Sequence, residues 1–300
     1  MPEERLGEAL SAATERLRAA GSETPRLDAE VLLAHALGAD RTAVLAHPEA
    51  PLGPAQSGAF RDSVARRELG EPVAYIRGLK EFYGLALSVD ARALIPRPET
   101  ELLVELGISR AAAILTGRRW QPSRGPLRVV DVGTGCGAIA IALVATLRRR
   151  GYGGVLDVLA VDASEVAVAL ARENAAAHGL ADAIRFRAAE LLPEDGPPFD
   201  LVLANLPYVP SAEIADLPIA ASFEPRAALD GGPDGLAVIG PLVARLDDRT
   251  SDLAVALLEI GPHLRAGMER LAGEMLSGWR LAFHDDLAGH LRVAELFRSG

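Results

Sequence analysis

The sequence predicts an α/β protein, a mostly parallel seven-stranded sheet wound by helices on both faces, preceded by a small helical region. Two observations predict the sheet. From residue 127 onward, apolar runs alternate with segments of helical period: "LRVVDVG", helix 137–150, "VLDVLAVDA", helix 164–178, "AIRFRAA", "DLVLANLP", helix 234–247, "LAVALLEIG" and helix 264–277. Runs such as "VLDVLAV" and "LAVALLEI" are apolar throughout, as parallel strands covered on both faces must be. The last pieces, "WRLAFHDD" and "RVAELFR", read as two closing strands, antiparallel to the rest.

The helical region comes first. In "RLGEALSAATERLRAAG", Leu6, Leu10, Ala13 and Leu17 fall on one helix face and Gly21 stops the run. Pro25 opens "PRLDAEVLLAHALG", which ends at Gly38, and two further helical segments lead to "RDSVARRELG". From Pro72, "PVAYIRG" and "EFYGLALSVD" read as a β-hairpin joining two domains. A Pro-rich loop and a helix opening after Pro98 follow, in "ALIPRPETELLVELGISRAAAIL". The expected division is therefore a helical domain over 1–70, a hairpin linker over 71–90 and a catalytic α/β domain over 91–300.

Composition narrows the function. A formal charge of -10 argues against affinity built on neutralising phosphates, so direct nucleic-acid binding is not expected. No apolar run reaches the roughly 20 residues a membrane span needs, and the acidic, amphipathic start "MPEERLGEAL" is unlike a secretory leader. With Cys136 the only cysteine, no intrachain disulfide or thiolate zinc site can form, and a cytoplasmic protein without a membrane is expected. His263, His284 and His290 share no ligand spacing, so no metal is expected.

In a doubly wound sheet, ligands bind beyond the carboxyl ends of the strands, where strand order reverses. Three such places are chemically unusual. In "DVGTGCGAIAIAL", Asp131 and glycines 133, 135 and 137 join a strand to a helix, bringing backbone N–H groups and the positive helix end to a ligand. Asp162, ending "VLAVDA", is placed to accept hydrogen bonds from ribose hydroxyls, while Ser164 is free to cap the next helix. Both features serve NAD and S-adenosylmethionine equally well.

The third place, "NLPYVP", is more selective. Pro207 cannot donate a ladder hydrogen bond and forces Leu206 extended, so the strand ends there. The Asn205 side-chain oxygen and the Leu206 carbonyl then form a pair of acceptors suited to the two N–H bonds of a planar –NH2 group, with Tyr208 beside them as a flat packing surface.

Asn205-Leu206-Pro207-Tyr208 resembles the Asn-Pro-Pro-Tyr motif of amino methyltransferases. "LIPRPETE", "NLPYVP", "FEPRAALDGGPDG" and "LLEIG" together resemble, in order and spacing, the HemK/PrmC group of protein-(glutamine-N5) methyltransferases, from about residue 5 to residue 297. The resemblance implies a Rossmann-like S-adenosylmethionine-dependent methyltransferase fold and methylation of the glutamine in the Gly-Gly-Gln motif of peptide-chain release factors, the helical domain recognising the protein substrate. It implies Gly133, Thr134, Gly135, Cys136, Gly137, Asp162, Leu191 and Asn205 against the cofactor, with Leu191 near adenine. Asn205, Leu206, Pro207 and Tyr208 hold the substrate amide, Asn205, Pro207 and Tyr208 are catalytic, and the "RPETE" and "FEPR" loops wall the pocket. Two positions depart from the family pattern: Leu206 replaces a proline, and Leu191 stands beside Glu190 where an aromatic is common. The readings that compete are a glutamine methyltransferase of a large-subunit ribosomal protein, an adenine-N6 methyltransferase and an NAD-dependent dehydrogenase, the last leaving the Asn205–Tyr208 turn unused.

Overall fold

The computed structural model describes residues 4–117 and 125–298. Two compact units emerge, Met1–Leu79 with Pro218–Phe223, and Lys80–Leu217 with Glu224–Gly300.

The first unit holds helices α1 (Leu6–Ala19), α2 (Pro25–Leu37), α3 (Arg41–Ala46), α4 (Pro54–Glu68) and α5 (Val73–Arg77). Local chemistry sets their ends. Pro25 and Pro54 occupy first-turn positions where a missing N–H costs nothing, and the Asp40 side chain caps α3 by accepting from Ala43 N at 2.7 Å. Leu6, Leu10, Ala13 and Leu17 are all buried, in one cluster with Leu32, Leu33, Phe60 and Val64. Burying each such leucine stabilises the fold by about 1.5–3 kcal/mol. Asp28 is buried among them, but Ser22, Thr24 and Arg67 all donate to it, which offsets the desolvation of its charge.

One sequence expectation is corrected here. "PVAYIRG" is not a strand: it forms α5, which starts after Pro72 and is closed by left-handed Gly78. Its neighbours Tyr75 and Ile76 are both buried, a spacing that a one-faced strand does not give. The hairpin lies one segment later, between β1 (Leu79–Phe82) and β2 (Leu85–Ser88). Tyr83 and Gly84 form its two-residue turn with φ of 51° and 71°, the signs that a tight hairpin requires.

The second unit carries helix α6 (Thr100–Thr116) and a seven-stranded sheet. The strands are β3 (Leu127–Val132), β4 (Leu156–Asp162), β5 (Ile184–Ala188), β6 (Phe199–Ala204), β7 (Thr250–Glu259), β8 (Trp279–Asp285) and β9 (Leu291–Arg298), in the order β5-β4-β3-β6-β7-β9-β8. Parallel pairing runs from β5 to β7, and β9 inserts antiparallel between β7 and β8. Crossovers are made by α7 (Ala138–Arg149), α8 (Glu165–Ala177), α9 (Ile239–Arg249) and α10 (Arg265–Met275). Every residue of β6 is buried, as a central strand covered on both faces requires. Helix α9 begins later than its sequence run suggests, because Gly232 and Gly235 both take positive φ and keep the chain in a loop. Among the described residues, no helix is long and apolar enough to cross a membrane.

Register places the functional residues. Val132 lies opposite Val161 in β4 and Ala204 in β6, and Ala204 lies opposite Leu258 in β7. One residue further on, Asp162, Gly133, Asn205 and Glu259 therefore share a row at the carboxyl edge of the sheet. The strand order reverses beside β3, so this row sits where an α/β sheet opens a crevice.

Candidate active site

A cavity of about 320 Å³ opens over that row, lined by the glycine loop, Asp162, Glu190, Asn205, Leu206 and Pro207, with Leu94, Pro96 and Pro225 on its other walls.

Glycines make the floor. Gly133, Gly135 and Gly137 have φ of 72°, 55° and 88°, a region closed to most side chains. A Cβ on Gly133 would stand 2.9 Å from Leu206 Cδ2, and one on Gly137 the same distance from Ile141 Cδ1. Leu206, in place of the family proline, thus packs its buried side chain on the glycine floor. Asp131 closes the loop from beneath: its Oδ2 accepts from Thr134 Oγ1 at 2.7 Å and Ala140 N at 3.2 Å. Burial pushes its carboxyl up to about 7, and its Oδ1 has no hydrogen-bond partner. Cys136 is buried, its thiol pushed up to about 12 by desolvation, so it fills space.

Asp162 stands at the end of β4. Its Oδ2 accepts from Gly135 N at 2.8 Å and its Oδ1 from Ser164 N at 2.9 Å, while the Ser164 hydroxyl caps α8 by accepting from Ala167 N. Each carboxylate oxygen keeps a lone pair for a ligand hydroxyl. Asn174, which nothing in its helical run marked out, ties this side together. Its Nδ2 donates to the carbonyls of Cys136 and Ser88, and its Oδ1 accepts from Ser88 N.

The "NLPYVP" turn forms the opposite wall. Asn205 Nδ2 donates to Thr100 Oγ1 at 3.1 Å, which leaves Oδ1 as the acceptor end of the amide. The turn is held by the "LDGGPDG" loop: Val209 N donates to Leu229 O, Gly231 N to Val209 O and Ser211 N to Gly232 O. Only glycine fits there, since a Cβ on Gly235 would stand 2.5 Å from Tyr208 O and one on Gly231 2.7 Å from Tyr208 Cα. The "RPETE" and "FEPR" segments meet through Glu224, a buried carboxylate that accepts from Ile95 N at 2.9 Å and from the Arg97 guanidinium.

Two expected residues sit elsewhere. Leu191 does not line the cavity: it packs into the core with Leu192 and Phe199, and Glu190 takes the wall position beside it. Tyr208 also lies off the cavity wall, half-buried behind Pro207. Burial, together with the negative charge of nearby Glu259, pushes its hydroxyl up to about 12. Its ring tilts against His263 with centroids 6.5 Å apart. Glu259 lies within "LLEIG" and Thr100 within "RPETE", and nothing in either segment alone marks these two side chains out from their neighbours.

Similarity to known proteins bears on what this cavity takes. A family model for the PrmC N-terminal domain matches residues 8–78, and a methyltransferase-domain model matches residues 129–218. The chain is 37% identical over 297 residues, 99% of both chains, to the release factor glutamine methyltransferase of Deinococcus radiodurans. This chain belongs to the release factor glutamine methyltransferase family. The family member of Vibrio cholerae is 37% identical over 290 residues, covering 95% of this chain and 94% of its own. The catalytic domain of hMettl16, solved with a MAT2A 3′UTR hairpin, shares the fold with a TM-score of 0.55 and 17% identity, over 79% of this chain and 80% of that one.

Like other members of the release factor glutamine methyltransferase family, the chain is an S-adenosylmethionine-dependent enzyme. Its residues fit that cofactor: a cradle that Cβ atoms would fill, a carboxylate at the end of β4 with lone pairs for hydroxyls, and a largely apolar wall that also carries Glu190 and Asn205.

Proposed function

We propose that this enzyme methylates the side-chain amide nitrogen of the glutamine in the Gly-Gly-Gln motif of peptide-chain release factors. Gly133, Thr134, Gly135, Cys136 and Gly137 hold the methionine part of the cofactor through backbone groups, and Asp162 holds the ribose. Glu190 takes the place on the adenine side expected of Leu191. The substrate carboxamide is held by Asn205 Oδ1 and the Leu206 carbonyl, each accepting one of its N–H bonds.

S-adenosylmethionine supplies an electrophilic methyl carbon on a sulfonium. The difficulty lies with the nucleophile, because the amide lone pair is delocalised into its carbonyl. Two acceptors on the N–H bonds raise the electron density on nitrogen and fix its direction. Well-oriented reactants gain up to about 7–11 kcal/mol in this way. Tyr208, with its pKa raised, stays a neutral phenol, so it supports the turn from behind and removes no proton.

The observation that carries the reading is the hydrogen bond from Asn205 Nδ2 to Thr100 Oγ1 in a side chain that lines the cavity, which supports the amide oxygen as the end offered to a substrate. A net charge of -10 supports a protein partner over a nucleic acid, and a translation-factor substrate supports a cytoplasmic location. The test is incubation with purified release factor and labelled donor, followed by peptide mass spectrometry. One added methyl on the Gly-Gly-Gln glutamine is expected; labelling of a ribosomal protein instead would replace the substrate.

A further inference from the structure

We propose that Glu259 is a positioning residue: through Thr100 it sets the polarity of a hydrogen-bond chain that decides which end of the Asn205 amide faces the substrate. This rests on the role given to Asn205 above.

The Thr100 hydroxyl carries one hydrogen. It accepts from Asn205 Nδ2 at 3.1 Å, so that hydrogen must go to another acceptor. Glu259, one residue past the partner of Ala204 at the end of β7 and so beside Asn205, is the acceptor assigned to it: Thr100 and Tyr208 both favour its ionised form against the larger push of burial. Glu259 is only 3% exposed and its Oε2 has no hydrogen-bond partner. A buried carboxylate so incompletely compensated is costly to keep if its task is structural alone.

The chain has two self-consistent directions. With Glu259 ionised, Thr100 donates to it and accepts from Asn205 Nδ2, and Oδ1 meets the substrate N–H. With Glu259 protonated, its O–H donates to Thr100, and Thr100 donates to Asn205 Oδ1. The amide then turns its Nδ2 to the substrate, setting donors against donors. Burial pushes the Glu259 carboxyl up to about 7, so the two directions exchange near neutral pH. The groups facing it are Glu99 just before α6, Thr100 at the start of α6, Tyr208 from the loop after β6 and Arg292 from β9. Glu99 adds to the upward shift, Arg292 and the two hydroxyls oppose it, and Arg292 is itself ion-paired to Asp286 at 2.9 Å.

The test is the pH dependence of kcat and KM with release factor between pH 6 and 9. For the unmodified enzyme, kcat should fall about tenfold per pH unit below about pH 7 while KM for the cofactor stays level. Glu259→Gln should lower kcat about 10- to 100-fold, the size that removing an outer-shell partner has at metal sites, and abolish the acid limb. Thr100→Val should do the same and Thr100→Ser should restore the profile, a contrast that holds even if Glu259→Gln folds poorly. Infrared spectroscopy of the protein without ligands should show protonated-carboxyl absorption titrating near neutral pH, which Glu259→Gln reduces to the share of Asp131 and Glu259→Gln with Asp131→Asn removes. A level kcat in the unmodified enzyme, an acid limb surviving in Glu259→Gln, or Thr100→Val with unchanged kcat overturns the proposal. No transfer at any pH by the unmodified enzyme, with the infrared band present, overturns instead the reading on which it rests.

Discussion

Asn205 Nδ2 donates to Thr100 Oγ1 at 3.1 Å, across 105 residues of sequence. The bond joins the end of the central strand β6 to the first turn of α6, so the amide that closes the cavity is oriented by a helix laid down before the sheet begins. Replacing Asn205 by Ala should reduce kcat by about 10²–10³, the cost of deleting one preorganised polar contact to the reacting group. Calorimetry with S-adenosylhomocysteine should find cofactor affinity within a few-fold, because the glycine loop and Asp162 are untouched. Turnover near that of the unmodified enzyme would remove Asn205 from the chemistry.

Gly133→Ala tests the floor of the cavity. Its new Cβ would meet Leu206 Cδ2 at 2.9 Å on a backbone with φ of 72°. The left-handed conformation alone costs about 1–2 kcal/mol, and the clash displaces Leu206, whose carbonyl is assigned to the substrate. Both a lower thermal midpoint and weaker S-adenosylhomocysteine binding are expected, and an unchanged affinity would contradict the cradle.

Glu224→Ala tests the opposite wall. It strands the Ile95 N–H, now satisfied at 2.9 Å, and frees Arg97. An unsatisfied buried donor costs about 1–3 kcal/mol. Since Leu94 and Pro96 flank that N–H and line the cavity, chemical denaturation should show the stability loss and equilibrium binding a weaker cofactor complex.

Asp131 and Glu259 make stability depend on pH with an unusual sign. Both carboxyls are raised to about 7 by burial. Between about pH 4 and 7 the folded protein therefore holds protons that the unfolded chain, with ordinary carboxylates, has released. Stability falls as pH rises through that window, by roughly 3–4 kcal/mol per group at most, before levelling above about pH 7. Asp90, Asp230 and Asp286 are lowered by hydrogen bonds and act only at lower pH, with the opposite sign. Melts of the ligand-free protein should give a higher midpoint at pH 5.5 than at pH 8. The double variant Asp131→Asn, Glu259→Gln should flatten the difference, and a rise in midpoint with pH would refute the burial argument.

How much of this was legible in the sequence follows from the range of the forces involved. The strands of the sheet were readable because burial on both faces writes itself into each run, as "DLVLANLP" and "LAVALLEIG" show. The glycine loop and Asp162 were readable because strand ends in such a sheet have fixed chemistry. Helix α5 was misread because "PVAYIRG" is too short for its period to speak, and Pro72 and Gly78 bracket a strand as readily as a helical turn. The exchange of Leu191 for Glu190 at the cavity wall depends on how the loop after β5 turns, which Leu191 decides by packing into the core. Thr100, Asn174 and Glu224 act through partners 38 to 129 residues away, and no local pattern marks such contacts.

The most direct measurement is a crystal structure with S-adenosylhomocysteine and a Gly-Gly-Gln peptide bound. The account predicts the glutamine amide nitrogen within hydrogen-bonding distance of both Asn205 Oδ1 and the Leu206 carbonyl, with Asn205 Nδ2 still on Thr100. A glutamine bound elsewhere, or an Asn205 that offers its nitrogen to the peptide, would contradict it.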